Sequence, residues 1–101
     1  MERHGVEFQD DLIAEFCRRN HIRRLSLFGS VLREDFGPQS DIDVLVEFEP
    51  DATVGLIRFA GIERELGEMM GHAVDLNTPN MLSPYFRDEV LAEAEVRYVA
   101  P

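Results

Sequence analysis

The chain has no lysine, no tryptophan, one cysteine and no apolar run long enough to span a bilayer. Each absence excludes something. With no lysine, all basic residues are arginines, and 10 of them face 20 Asp and Glu, leaving a formal net charge of -10. A chain of that sign lacks the basic face that a general DNA or RNA binder needs to neutralise phosphates. It also lacks a polybasic membrane anchor. A single cysteine, Cys17, excludes an internal disulfide framework and a cysteine-based zinc site, and suggests a reducing cytoplasm. Residues 1–10 hold no apolar stretch of the kind a secretory signal carries. No eighteen consecutive apolar residues occur anywhere.

What remains is 101 residues with 45% hydrophobic content, enough for one domain over 1–101 with a real core. Residues 8–20 place Phe8, Leu12, Ile13, Phe16 and Cys17 at helical spacing, with Arg18 and Arg19 in the last turn, where cations meet the negative end of the dipole. Cys17 on that stripe reads as a core residue. Residues 24–28 alternate as a strand, 30–34 fit a short helix, and 35–40 have turn composition. Residues 41–48 form the clearest strand. A second helix is expected over 53–70 with Gly71 as its stop, then a short strand over 73–76 and a loop over 77–83. Ser83-Pro84 reads as the start of a third helix running to about 94, followed by a strand over 96–99. The alternation predicts a small α/β (α+β) fold, a mixed sheet with helices packed mainly on one face.

Three features carry chemistry. On a strand, Asp41 and Asp43 point the same way, which sets two carboxylates side by side while Ile42, Val44 and Val46 face the helices. Carboxylates that close repel, and a hard divalent cation removes the conflict. A polar edge strand is the plain alternative. Gly29-Ser30 stands at a strand-to-helix junction, where free N–H groups and a hydroxyl can seat a phosphate. An ordinary turn is the alternative there. Asp75 lies between Val74 and Leu76, and a carboxylate in an apolar strand needs a partner or a task.

Together, Gly29-Ser30, Asp41-x-Asp43 and the later strand residue Asp75 resemble the pattern of the DNA polymerase β-like nucleotidyltransferase superfamily. Residues 27–48 are similar to its minimal nucleotidyltransferase (MNT) branch, and the likeness extends from about residue 8 to 98. The resemblance implies transfer of an NMP, AMP from ATP foremost, to a hydroxyl. It implies that Asp41, Asp43 and Asp75 hold two Mg2+ ions, that Asp75 helps deprotonate the acceptor, and that Gly29 and Ser30 seat the β- and γ-phosphates. Arg33 fits the family's basic residue after Gly-Ser, and can reach phosphate or pair with Glu34 or Asp35. Ser40 precedes Asp41 in the family manner and orients the turn or meets the nucleotide. Glu47 is expected to be structural or salt-bridged. His72 is expected at the surface, and His4 and His21 have no assigned role.

The short length leaves one wall of a cleft, so a partner chain or a second copy is expected to supply the other. The MNT branch is commonly an antitoxin paired with a helical HEPN (higher eukaryotes and prokaryotes nucleotide-binding) toxin, which it silences by adding AMP to a tyrosine. The alternative is a non-catalytic antitoxin or nucleotide-binding module that neutralises its partner by contact. A small-molecule nucleotidyltransferase would usually carry a further substrate domain. Three carboxylates and a triphosphate sum to about -7, which two Mg2+ would offset by about +4. With no lysine, the rest must come from backbone N–H groups, arginine or a partner.

Overall fold

The computed structural model describes residues 2–101. The chain opens on a two-stranded hairpin, β1 (Glu2–Arg3) and β2 (Val6–Glu7). His4 and Gly5 between them both have positive φ, +54° and +81°, the geometry a two-residue hairpin turn requires. This hairpin is an addition to the expected order, since two-residue strands are too short to show alternation. Helix α1 (Asp10–Arg19) follows, with Asp10 and Asp11 in its first turn and Arg18 and Arg19 in its last, both favourable to the macrodipole. Strand β3 (Ile22–Phe28) leads into a single 3-10 turn (Gly29–Leu32), and β4 (Ile42–Phe48) returns antiparallel beside it. Helix α2 (Leu56–Met70) ends at Gly71, whose φ of +66° is the left-handed helix stop. Strand β5 (Val74–Asn77), a 3-10 turn (Pro79–Met81), helix α3 (Arg87–Glu93) and strand β6 (Glu95–Val99) complete the chain.

The sheet order is β5-β4-β3-β6. Only the β4–β5 pair is parallel. Ile42, Val44 and Val46 share one buried cluster with Ile13, Phe16 and Cys17 of α1 and Ile62 and Leu66 of α2. The mixed α+β sheet with its main helices on one face is therefore as expected. Cys17 is fully enclosed there, and burial pushes its thiol up to about 12, so it stays protonated and inert.

All three helices are shorter than their sequence patterns, α1 at both ends of the expected 8–20 and the other two mainly at their starts. α2 begins at Leu56 because Thr53, Val54 and Gly55 stay outside the helix. Leu56 and Ile57 are then 88% and 92% exposed instead of joining the core. In the third segment, Ser83 and Pro84 do start a turn, with the Ser83 hydroxyl accepting from the Tyr85 N–H at 3.3 Å. The regular helix begins only at Arg87 and buries no side chain.

Candidate active site

The site forms where the two central strands and β5 start or end. Phe28, the last residue of β3, lies opposite Asp43 of β4, and Asp43 lies opposite Asp75 of β5. Asp41 falls one residue before β4 begins, not within the strand, but it still acts on Asp43 electrostatically. Asp43 and Asp75 are within hydrogen-bonding reach. Thus three carboxylates separated by up to 34 positions in sequence meet at one end of β4. Asp75 is exposed on an edge strand, so its charge carries no burial cost of the kind its apolar neighbours suggested.

Gly29 is the fourth member. Its φ is +74°, and a Cβ built there would stand 2.2 Å from Asp43 Oδ2 and 3.1 Å from Asp43 Cγ. Only the missing side chain lets the Asp43 carboxylate lie against the turn. Ser30 follows on the 3-10 turn. That turn is four residues long, so no long helix dipole stands behind its N–H groups and the Ser30 hydroxyl.

Arg33 is exposed and near enough to lower the pKa of Asp43. Its own ion pair is with Asp35 at 3.3 Å, both side chains more than half exposed, a contact worth ~0–1 kcal/mol and easily exchanged. Ser40 turns into its loop: its Oγ accepts from the Gly37 N–H at 3.1 Å, and its N–H donates to the Gly37 carbonyl at 3.0 Å. Glu47 pairs with Arg23 at 2.9 Å and Arg24 at 3.8 Å, the salt-bridged reading. His72 and His4 pack against Phe36, with ring centroids 5.2 and 5.1 Å away, outside the carboxylate group.

One contributor was not legible in the sequence. Glu63 of α2 reaches across to β5, where its Oε2 accepts from the Leu76 N–H at 2.7 Å. That bond fixes the strand residue next to Asp75. Nothing in a helical Glu thirteen positions earlier signals it.

The Asp43 carboxyl is pushed up from 3.8 to about 6, first by burial, then by the charges of Asp75 and Asp41, with Arg33 opposing. The folded chain therefore holds this proton more tightly than the unfolded chain does. The associated stability is fully present below about pH 4 and is lost as pH rises through about 6. In chelator, the wild-type Tm should fall more between pH 5 and pH 7.5 than that of Asp43→Asn, which lacks this proton equilibrium. Identical pH slopes in thermal melts would contradict the assignment.

Asp41, Asp43 and Asp75 are oxygen donors of the kind a hard divalent cation takes, and a cation would relieve the repulsion that Asp43 feels from the other two. Among the described residues, no group of three or more His, Cys, Asp or Glu side chains is arranged as it stands to hold a metal ion. The chemistry open to the arrangement is the handling of a phosphate chain beside a carboxylate that can take a proton.

Over residues 10–96 the chain matches the nucleotidyltransferase domain family. The chain belongs to that family. This nucleotidyltransferase is 39% identical over 77 residues to a Methanocaldococcus jannaschii protein provisionally assigned as a protein adenylyltransferase, covering 75% of this chain and 80% of the relative. It is 33% identical over 79 residues to the protein adenylyltransferase MntA of Thermococcus cleftensis, covering 78% of each. Among solved structures, a provisionally assigned minimal nucleotidyltransferase matches at TM-score 0.69 with 34% identity, over 84% of this chain and 85% of that one. A tri-AMPylated Shewanella oneidensis HEPN toxin in complex with MNT antitoxin matches at TM-score 0.64 with 22% identity, over 90% of this chain and 70% of that one, a likeness of fold. No helix among the described residues is long and apolar enough to cross a membrane.

Proposed function

We propose that this nucleotidyltransferase moves AMP from ATP to a hydroxyl of a HEPN-type toxin partner and thereby acts as its antitoxin. The observation that carries the reading is the meeting of Asp41, Asp43 and Asp75 beside a glycine that has room for nothing larger. The names of the relatives and the AMPylated toxin in the related complex supply the acceptor class.

In this reading Asp41, Asp43 and Asp75 hold Mg2+, two ions in all. When bound, the ions neutralise the triphosphate and polarise the reacting phosphate. Ser30 and the N–H groups of its turn receive the β- and γ-phosphates. Arg33 leaves Asp35 and turns to the phosphates, which gives a lysine-free chain its fixed cation at the site. The acceptor oxygen attacks the α-phosphorus in line, the bond to the α,β-bridging oxygen breaks, and pyrophosphate leaves. Asp75, exposed at the sheet edge where an acceptor can approach, takes the hydroxyl proton.

Incubation with α-labelled ATP, Mg2+ and the partner toxin should label the toxin and not its tyrosine-free variant. Absence of label with all four NTPs would overturn the reading. A second reading, neutralisation by contact alone, draws on the uncovered apolar side chains of Leu56, Ile57, Tyr85 and Leu91. It requires an Asp41→Ala/Asp43→Ala double variant to neutralise the toxin as fully as wild type. The catalytic reading requires that variant to fail.

A further inference from the structure

A cleft of about 320 Å³ opens beside the carboxylate site, between the 3-10 turn and α3. It is lined by Phe28, Gly29, Arg33, Phe86, Glu89, Val90 and Glu93. Its volume is in the range of small-ligand pockets, ~300–1,000 Å³. Two of its walls, Gly29 and Arg33, also belong to the phosphate-handling site, and Phe28 stands opposite Asp43 in the sheet register. Any nucleotide with its α-phosphate at Asp43 therefore has this cleft within reach of its sugar and base.

The lining chemistry suits a base. Phe86 is 61% exposed, an unusual state for a phenylalanine with a cleft at its side. Among the described residues neither Phe28 nor Phe86 stacks on another ring, and the exposed Phe86 is the ring a planar ligand can reach. Phe86 is also held firmly. The neighbouring Arg87 donates to the Pro79 carbonyl at 2.8 Å and to the Leu82 carbonyl at 3.0 Å, which staples the start of α3 to the preceding loop. Residues 86, 89, 90 and 93 recur at helical spacing and so share one face. On it, Glu89 and Glu93 are exposed carboxylates that offer only acceptors.

We infer that the cleft is the base seat of the nucleotide: the base stacks on Phe86, and its exocyclic amine donates to Glu89 or Glu93. The acceptor-only wall favours bases that carry such an amine, adenine among them, over uracil, whose single N3–H donor is flanked by two carbonyls that the carboxylates repel. This rests on the nucleotidyl-transfer reading above and deepens it, assigning the specificity that the carboxylate site itself cannot provide.

The test is calorimetric binding of Mg-ATP, Mg-UTP and Mg-tripolyphosphate to the full chain, with no catalysis required. Wild type should bind ATP more tightly than tripolyphosphate or UTP. Phe86→Ala, at a mostly exposed position, should weaken ATP by about tenfold or more and leave tripolyphosphate unchanged, while Phe86→Tyr should restore ATP. A Glu89→Gln/Glu93→Gln variant should narrow the gap between ATP and UTP. Equal affinity of wild type for ATP and tripolyphosphate, or an equal loss of both in Phe86→Ala, would overturn the base seat while leaving the phosphate site standing. Failure of both ATP and tripolyphosphate to bind would overturn nucleotidyl transfer and the base seat together.

Discussion

Replacing Asp43 by Asn should abolish AMP transfer, by about a thousandfold or more, while raising the Tm of the metal-free protein near pH 7.5. The two effects share one cause. Asp43 is the carboxylate of the trio with two like-charged neighbours, and the partly buried position pushes its pKa to about 6. At neutral pH it is mostly ionised against that environment, which is a standing cost to the fold. Asparagine keeps the shape and removes the charge. The cost disappears, and with it the ligand that a cation would need between Asp41 and Asp75. Loss of one group aimed at developing charge is worth ~10²–10³ in rate, and a shared metal ligand should exceed that. The check is a pair of measurements on the same sample: labelled-AMP transfer to the partner, and a thermal melt in chelator. Retained transfer would remove Asp43 from the mechanism. A lowered Tm would mean that its charge is compensated in the fold.

Gly29→Ala should give the second largest effect, and through a different route. The added methyl would stand 2.2 Å from Asp43 Oδ2, closer than any real contact allows, so the carboxylate must swing away. Contacts of 3.1 and 3.4 Å to Asp43 Cγ and Cβ leave that side chain little freedom to do so without moving β4. The backbone adds its own penalty, because alanine at a φ of +74° costs ~1–2 kcal/mol. The expected outcome is a folded protein with a Tm several degrees lower and transfer reduced about a hundredfold, the usual scale for an ångström of misplacement in a reacting constellation. Magnesium titration followed by nuclear magnetic resonance would separate the two causes: Gly29→Ala should perturb Asp43 and its metal response, not just the melting point. A variant that melts lower yet transfers at the wild-type rate would show that the glycine serves the turn alone.

The sequence made this site legible because the reacting groups announce themselves by type and spacing. Asp41-x-Asp43 sits at the start of the most regular strand, and Gly29-Ser30 follows the end of the strand that pairs with it. Asp75 falls on the expected short strand, but that strand is an edge and leaves Asp75 exposed, so its apolar neighbours do not bury it. Burial of neighbours such as Leu76 says nothing about the opposite face of a short strand. Helix starts were less legible. Leu56 and Ile57 have the composition of a core turn, but Gly55 lies extended and the helix begins with them in solvent. The hairpin at His4-Gly5 is too brief for alternation to register. Glu63 and Phe86 are not legible for a simpler reason: each falls in an ordinary helical pattern, and what it faces across space leaves no mark on that pattern.

The Glu63 contact also governs how the sheet can meet other chains. An edge strand is normally an invitation to a further strand, through its outward N–H and C=O groups. At β5 the outward Leu76 N–H is already committed to a carboxylate at 2.7 Å, so a strand arriving on that side would have to displace a charge-assisted bond. Sheet extension is thereby steered to the opposite margin, β6. At the margin that carries Asp75, a chain adding as a fifth strand would first have to break the Glu63 bond, a cost that one docking through side chains does not meet.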